Sequence, residues 1–153
     1  MALYIVNSLD GFGALSATVY EAGGITTGQF VKCVSSAEIT STGSVIASIL
    51  ISAADAAADE DTVVGVAMED GANGDVISVA TRGFFRFPMD SNNGAITAGM
   101  CVQVGDQATI GYKIEKYDAA DGARPIGQAW TPGDADDDYV LVRMDMGNGA
   151  GAV

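Results

Sequence analysis

Histidine is absent from this chain of 153 residues, and cysteine occurs only twice. Histidine is the most frequent general base and metal ligand in proteins, and it activates serine and cysteine nucleophiles. Ser-His and Cys-His catalytic pairs are therefore excluded, and two cysteines cannot complete a zinc site of the cysteine and histidine type. The sequence also lacks a Gly-x-x-x-x-Gly-Lys phosphate loop and a dinucleotide-binding glycine fingerprint. We predict a non-enzymatic protein without catalytic residues, metal ligands or cofactors.

Basic residues are scarce: 7 lysines and arginines stand against 20 acidic residues, for a net charge of −13. Such a surface repels the phosphates of nucleic acids and anionic lipid head groups. The longest apolar stretch, Val45 to Ile51, is too short to span a membrane. We therefore expect neither nucleic acid nor a membrane as a partner. The acidity fits solubility or a saline habitat, in which salt screens the repulsion between carboxylates.

Proline is also rare, with 3 residues, whereas glycine is frequent, with 20. Glycines scattered among Val, Ile and Thr predict tight turns between short strands and an all-β fold. One segment departs from this pattern: Ala53 to Asp61 is rich in alanine, Ser52 can cap its start, and we expect a short helix there. The predicted strands are Leu3–Val6, Gln29–Val34, Ser44–Ile51, Thr62–Met68, Asp75–Thr81, Phe84–Phe87, Met100–Val104, Ile110–Lys116, Pro125–Trp130 and Tyr139–Met144.

The two cysteines, Cys33 and Cys101, each lie in an apolar run typical of a strand. Two residues are too few for a disulfide framework. Either both are small buried hydrophobic side chains, or a single disulfide links the two halves of the chain. The sequence leaves both alternatives open.

Three sequence blocks occur twice in the same order. The first copies are Gly24–Gly28, Val64–Ala67 and Val76–Val79, and the second copies are Ala95–Gly99, Ile126–Ala129 and Tyr139–Val142. We expect the last glycine of the first block to adopt a positive φ at a turn. Glycine and alanine of the second block leave room for close backbone approach. Two copies are too few for a solenoid, and they fit two β-halves packed as a sandwich or closed as a barrel.

The repeat also suggests how the chain is divided. Residues 1–22 precede the repeat, and we interpret them as an N-terminal arm. Residues 23–146 form the predicted β-barrel domain, with its halves at 23–83 and 94–146, and the glycine-rich residues 147–153 form a flexible tail.

Acidic segments are the remaining candidates for chemistry. Asp134 to Asp138 resembles the start of a calcium-binding loop, but Tyr139 occupies the position of the required glycine. In Asp90 to Gly94 the glycine comes one position too early. Both patterns favour solvated turns. Paired carboxylates can also hydrolyse glycosides, but only within a concave site, which no sequence pattern establishes here.

Aromatic residues cluster with arginine at Arg82 to Phe87. This pattern fits a core strand with one exposed face, or a subunit contact, where arginine and aromatic side chains concentrate. Trp130 allows both interpretations, and the predicted strand near the N-terminus is a further candidate. The candidate subunit contacts are Leu3, Tyr4, Ile5, Arg82, Phe84, Phe85, Arg86, Phe87 and Trp130.

The order of these motifs resembles the small capsid decoration (cement) proteins of tailed viruses, including a cement family with a Gly-Val-Ala signature. The resemblance extends from Gly23 to Met144. The residues that carry it are Gly24–Val31, Val63–Ala67, Gly74–Gly83, Ile96–Val102 and Pro125–Ala129.

This resemblance implies a compact β-barrel or β-tulip with one short helix. It also implies a virion structural protein that assembles with itself, often as a trimer, on the outer surface of an icosahedral capsid head. The implied partner is the major capsid protein, whose subunits such proteins bridge. One alternative function is a carbohydrate- or calcium-binding β-module of a virion or cell-surface fibre, and a carboxylate-based hydrolase is the least favoured.

Overall fold

The structure is a computed structural model that describes residues 4–7, 14–34, 49–54, 62–105, 112–121 and 124–146, the first of these ranges by its backbone alone. These residues form strands and turns but no helix. Of the predicted helix, Ala53 ends a strand and Ala54 follows it, while residues 55–61 lie outside the described ranges. The described part of the chain contains no helix long and apolar enough to cross a membrane.

Eleven strands follow one another in the described residues. They are β1 (Tyr4–Asn7), β2 (Ala14–Val19), β3 (Phe30–Cys33), β4 (Ile49–Ala53), β5 (Val63–Ala67), β6 (Val76–Ala80), β7 (Arg82–Pro88), β8 (Cys101–Val104), β9 (Ile114–Lys116), β10 (Gly127–Ala129) and β11 (Tyr139–Asp145).

Five strands close into a barrel in the order β2-β4-β3-β5-β6, with β6 pairing back to β2. All pairs are antiparallel except β2 with β4. Residues 14–19 therefore belong to the barrel, whereas the sequence assigned them to an N-terminal arm. Ala17 and Val19 face the barrel core; alanine at positions 14 and 17 has low β-propensity, so the local strand signal is weak despite Val19. The partner strand β4 lies far away in sequence, and local patterns do not reveal such pairing.

The other six strands form a sheet in the order β1-β7-β11-β10-β8-β9. A parallel bridge between Met89 and Ile114 links the end of β7 to β9. The predicted all-β fold with a closed barrel is therefore confirmed for the described residues.

The same strand order occurs in both sheets: β4-β3-β5-β6-β2 in the barrel corresponds to β9-β8-β10-β11-β7. The turns match as well. In the barrel, Ile25 and Gly71 exchange two backbone hydrogen bonds of 2.8 and 2.9 Å. In the second sheet, Ile96 and Gly133 exchange bonds of 2.8 and 3.0 Å. The repeated sequence blocks thus make the same backbone contacts twice.

The glycines of these blocks have the predicted roles. Gly28 and Gly99 adopt φ angles of 89° and 94°, which confirms the expected turns. A Cβ at Gly65 would lie 2.6 Å from the carbonyl oxygen of Ala80. A Cβ at Gly127 would likewise overlap a backbone carbonyl of β11. Both positions confirm the expected close approach of two backbones.

The two hydrophobic cores correspond residue by residue. Eight buried residues fill the barrel, and the strand registers and turn contacts place a buried residue of the second core at the equivalent position of each. In matching order they are Ala17, Val19, Ile25, Val31, Ile51, Ala67, Ile77 and Val79 in the barrel and Phe87, Met89, Ile96, Val102, Ile114, Ala129, Val140 and Val142 in the second core.

The outside of the barrel packs against the second sheet. Phe30, Val66 and Ala80 belong to barrel strands, yet their side chains lie in the core of the second half. Phe30 stacks on Phe87 with ring centroids 5.1 Å apart. The two halves therefore share a continuous apolar contact.

Candidate protein-binding surface

Strand β7 separates the arginine and aromatic cluster into two faces. Phe85 and Phe87 are 1% and 0% exposed, because strand alternation directs them into the core. They are core residues and are not accessible as the subunit contacts that the sequence predicted. Phe84 is half-buried and Arg86 is exposed on the opposite face. This outer face of the sheet is where a partner can reach the cluster.

Trp130 lies on the same outer face. It follows β10, and its backbone N–H donates to the carbonyl of Leu141 on β11. Its indole meets the Phe84 ring edge to face, with centroids 4.8 Å apart and planes inclined by 84°. Trp130 nevertheless remains 53% exposed. The pair forms an aromatic platform that is stabilised on one side and open on the other.

Two exposed arginines flank this platform. Arg86 of β7 lies opposite Leu141, and Arg143 of β11 lies opposite Phe84. Among the described residues, neither guanidinium has an acidic partner. Arg82 differs, because its Nε donates to Asp145 Oδ1 at 3.0 Å. The free arginines are notable in a chain of net charge −13.

We call this surface the aromatic–arginine face. Three of its residues, Phe84, Arg86 and Trp130, were predicted from the sequence as subunit contacts. The three residues that β11 contributes were not predicted. The alternation of β11 was a usable signal, because buried residues at every second position leave the others facing outward. The face consists of Phe84, Arg86, Trp130, Tyr139, Leu141 and Arg143.

Two of the three N-terminal candidates, Tyr4 and Ile5, belong to a strand beside this face. Strand β1 pairs with β7, so that Tyr4 is opposite Arg86 and Ile5 is opposite Phe85. Strand β1 therefore extends the sheet at the edge of the aromatic–arginine face. Leu3 lies outside the described residues.

The acidic turn at 134–138 uses its carboxylates for its own structure. Asp138 accepts hydrogen bonds from the backbone N–H groups of Asp134 and Ala135, at 2.9 and 3.1 Å. Asp136 accepts one from the N–H of Ser91 at 2.7 Å. These hydrogen bonds lower the pKa of Asp138 and of Asp136 below 3.8. The bonds fit the interpretation of this segment as a turn.

Lys113 forms an ion pair with the same acidic turn. Its Nζ lies 3.1 Å from Asp137 Oδ1. Burial lowers the pKa of Lys113, but the hydrogen bond and the charges of Asp137, Asp136 and Asp90 outweigh that effect and raise it. Across the described ranges, no three Cys, Asp or Glu residues are arranged to hold a metal ion.

A surface depression of about 480 Å³ lies between two turns of the barrel, Ala22–Thr26 and Asp70–Asp75. Asp70 borders it and accepts hydrogen bonds from the N–H and Oγ1 of Thr27, at 2.7 and 2.8 Å. These bonds lower the pKa of Asp70. Its carboxylate therefore serves to hold the two turns together.

Both cysteines are free thiols, so no disulfide links the halves. Cys101 is half-buried, and Cys33 is exposed at the end of β3. Of the two alternatives, the disulfide is absent, and burial of both thiols is wrong for Cys33. Cys33 still pairs with Ile51 of β4, and the buried Val34 follows it, so an apolar run does not by itself fix the exposure of each member.

Comparison with known proteins agrees with this architecture. The family model of phage cement proteins matches residues 9–144. The fold is also similar to that of the head fiber gp8.5 N base of bacteriophage phi29, with a TM-score of 0.52 and 14% sequence identity. That similarity covers 87% of this chain and 93% of the phage protein, and at this identity it shows the fold alone. No curated protein sequence matches the chain.

The family match includes both halves of the protein and the complete aromatic–arginine face. It agrees with the resemblance that the order of the sequence motifs suggested. The chain belongs to the phage cement protein family.

Proposed function

We propose that this protein decorates the outer surface of an icosahedral capsid head and stabilises it by bridging major capsid protein subunits. Membership of the cement protein family makes it a virion structural protein. The single observation that carries the finer proposal is the aromatic–arginine face, which presents tryptophan, tyrosine and arginine together on a rigid sheet. These residue types dominate the binding energy of protein interfaces.

The physical requirements of this role are modest, and they match the structure. A cement protein needs no catalytic group; it needs a stiff body and a contact surface. A closed barrel packed on a second sheet supplies the stiffness. Many copies on a repeating lattice turn modest individual contacts into strong overall attachment. We further propose that copies associate with each other, as trimers, which would place several such faces on neighbouring capsid subunits.

The test uses expanded capsid shells of the virus that encodes this chain, prepared without the protein. The purified chain is mixed with shells, and bound protein is measured by cosedimentation. We expect saturable binding in a fixed ratio to the lattice, and shells that resist heat or dilution better once decorated. Absence of binding to expanded shells would overturn the proposal.

Carbohydrate binding is a second candidate, and the exposure of Trp130 and Tyr139 favours it. Exposed aromatic rings are suited to stacking on sugar rings. Titration with oligosaccharides while monitoring tryptophan fluorescence tests this alternative, since Trp130 is the single tryptophan of the chain. A saturable change would support it, and an unchanged spectrum would remove it.

A further inference from the structure

One face of the barrel is already an interface within this chain. Along β3, β5 and β6, alternate side chains fill the barrel interior, and their neighbours point away from it. These outward residues are Phe30, Val66 and Ala80, at 0%, 0% and 1% exposure. They are buried because the second half of the chain covers them.

The strand register identifies the equivalent positions in the second half. Val66 pairs with Ala80 in the barrel, and Gln128 pairs with Arg143 in the second sheet. Two residues further along, the backbone N–H of Met68 donates to a carbonyl of β6 at 2.9 Å. The backbone N–H of Trp130 donates to the equivalent carbonyl of β11 at 2.7 Å. Trp130 and Arg143 of the aromatic–arginine face, together with the adjacent Gln128, are therefore the counterparts of Met68, Ala80 and Val66, which pack against the second half.

The chemistry of the two faces differs in an informative way. Valine, alanine and methionine in the barrel are replaced by Gln128, Arg143 and Trp130, all three of them exposed. A face that is covered permanently can be aliphatic. A face that a separate molecule covers must remain soluble before assembly. Arginine and tryptophan provide contact area and also carry polar groups, so they keep such a face soluble.

Charge indicates the nature of that molecule. The face holds two of the four arginines of a chain whose net charge is −13. Neither arginine has an acidic partner among the described residues. The acidic turn at 134–138 adjoins β11, but its carboxylates bond elsewhere: Asp136 to the N–H of Ser91, Asp137 to Lys113, and Asp138 to N–H groups of the turn itself. Two arginines without acidic partners therefore fit a molecule that presents carboxylates to this face.

We infer that the aromatic–arginine face docks on an acidic surface of the major capsid protein, where Arg86 and Arg143 pair with carboxylates around a covered Phe84–Trp130 pair. The identity of this partner rests on the proposed function. The position of the face and the uncompensated charges of its two arginines rest on the structure alone. Such pairs fix orientation and become stronger when the surrounding contact excludes water.

The experiment measures binding to cement-free expanded shells of the encoding virus for Arg86→Glu, Arg143→Glu and Arg124→Glu. Arg124 is exposed and lies outside β7, β10 and β11, so Arg124→Glu makes the same charge change away from the face. We expect each substitution on the face to weaken binding about tenfold or more, and the control to stay within about threefold of wild type. Circular dichroism and melting curves establish that all three variants are folded.

Rising salt should weaken the binding of wild type more than that of the face variants, because salt screens charge pairs that wild type forms and each variant lacks. If wild type binds and the face variants bind equally well, the inference is overturned while the proposed function stands. If wild type itself does not bind, the proposed function fails. If the face variants turn an oligomer into a monomer without weakening the binding of that monomer to shells, the occupant is a second copy and the inference is wrong.

Discussion

Phe30 of the barrel and Phe87 of the second sheet stack with ring planes inclined by 28° and centroids 5.1 Å apart. Both side chains are fully buried. The contact joins the two halves, because Phe30 comes from β3 and Phe87 from β7. Both rings are among the largest fully buried side chains of the described residues, and the stability of the molecule should depend on their contact.

We predict that Phe30→Ala lowers the free energy of unfolding by about 3–5 kcal/mol, because it removes a buried ring and leaves a cavity between the halves. Chemical denaturation measures the loss. Val76→Ala is the control, since Val76 is 65% exposed and its truncation should cost about 0.5 kcal/mol or less. Equal midpoints for the two variants would contradict the assignment of this contact as a structural junction.

Stacking should also appear as coupling between the two rings. A double-mutant cycle with Phe30→Leu and Phe87→Leu is expected to give an interaction energy of about 0.5–1.5 kcal/mol. Leucine retains most of the apolar volume, so the variants are more suitable for equilibrium measurements than alanine. Additive effects would mean that the rings contribute by burial alone.

Much of this fold follows from periodicity and from glycine. Alternation along β7 predicts one buried and one exposed face, and the repeated blocks predict the glycine turns at Gly28 and Gly99. Other features depend on contacts that are remote in sequence. The sequence assigned residues 14–19 to an N-terminal arm, because their parallel partner β4 is remote in the chain. Trp130 stayed ambiguous because only its position across β11 from Phe84 decides its exposure.

The close backbone approach at the repeated glycines gives a second prediction. Gly65→Ala places a methyl group 2.5 Å from Val79 Cγ1 and 2.6 Å from the Ala80 oxygen, and Gly127→Ala meets the backbone of Arg143. Each should lower the free energy of unfolding by about 1–3 kcal/mol through overpacking. Gly23→Ala is the matched control, because no atom beyond its two chain neighbours lies within 4 Å of the added methyl group. Thermal melts of the three variants test the ranking, which fails if Gly23→Ala is the most damaging.

A buried polar pair provides the third prediction. Gln103 is 0% exposed, and its Nε2 donates to Glu115 Oε1 at 2.7 Å while its Oε1 accepts from the N–H of Asp118 at 2.9 Å. Gln103→Ala removes the hydrogen-bond donor to the buried Glu115 carboxylate and the acceptor for the backbone N–H of Asp118. We expect a loss of about 1–3 kcal/mol in unfolding free energy. Gln128→Ala, on the exposed face, should cost clearly less in the same denaturation experiment, and the reverse order would refute the prediction.

The fourth prediction concerns acid stability. Hydrogen bonds from backbone N–H groups lower the pKa of Asp136 and Asp138 below the ordinary 3.8. Because the folded pKa is lower than the unfolded one, the ionised carboxylates stabilise the fold above about pH 4. That contribution is lost as the pH falls through the lowered pKa of the folded state. The melting temperature should therefore drop below about pH 4.

Asparagine substitutions isolate this effect. Asp138→Asn retains a side-chain oxygen that can accept the same N–H bonds, but it has no proton to gain in acid. The variant should melt below wild type at pH 6, since an amide is a weaker acceptor than a carboxylate, and the difference should narrow toward pH 2. Glu21→Gln removes one carboxylate charge outside this acidic turn and is the control for the change in net charge. A difference between Asp138→Asn and wild type that stays constant from pH 6 to pH 2 would show that the carboxylate charge does not stabilise the turn.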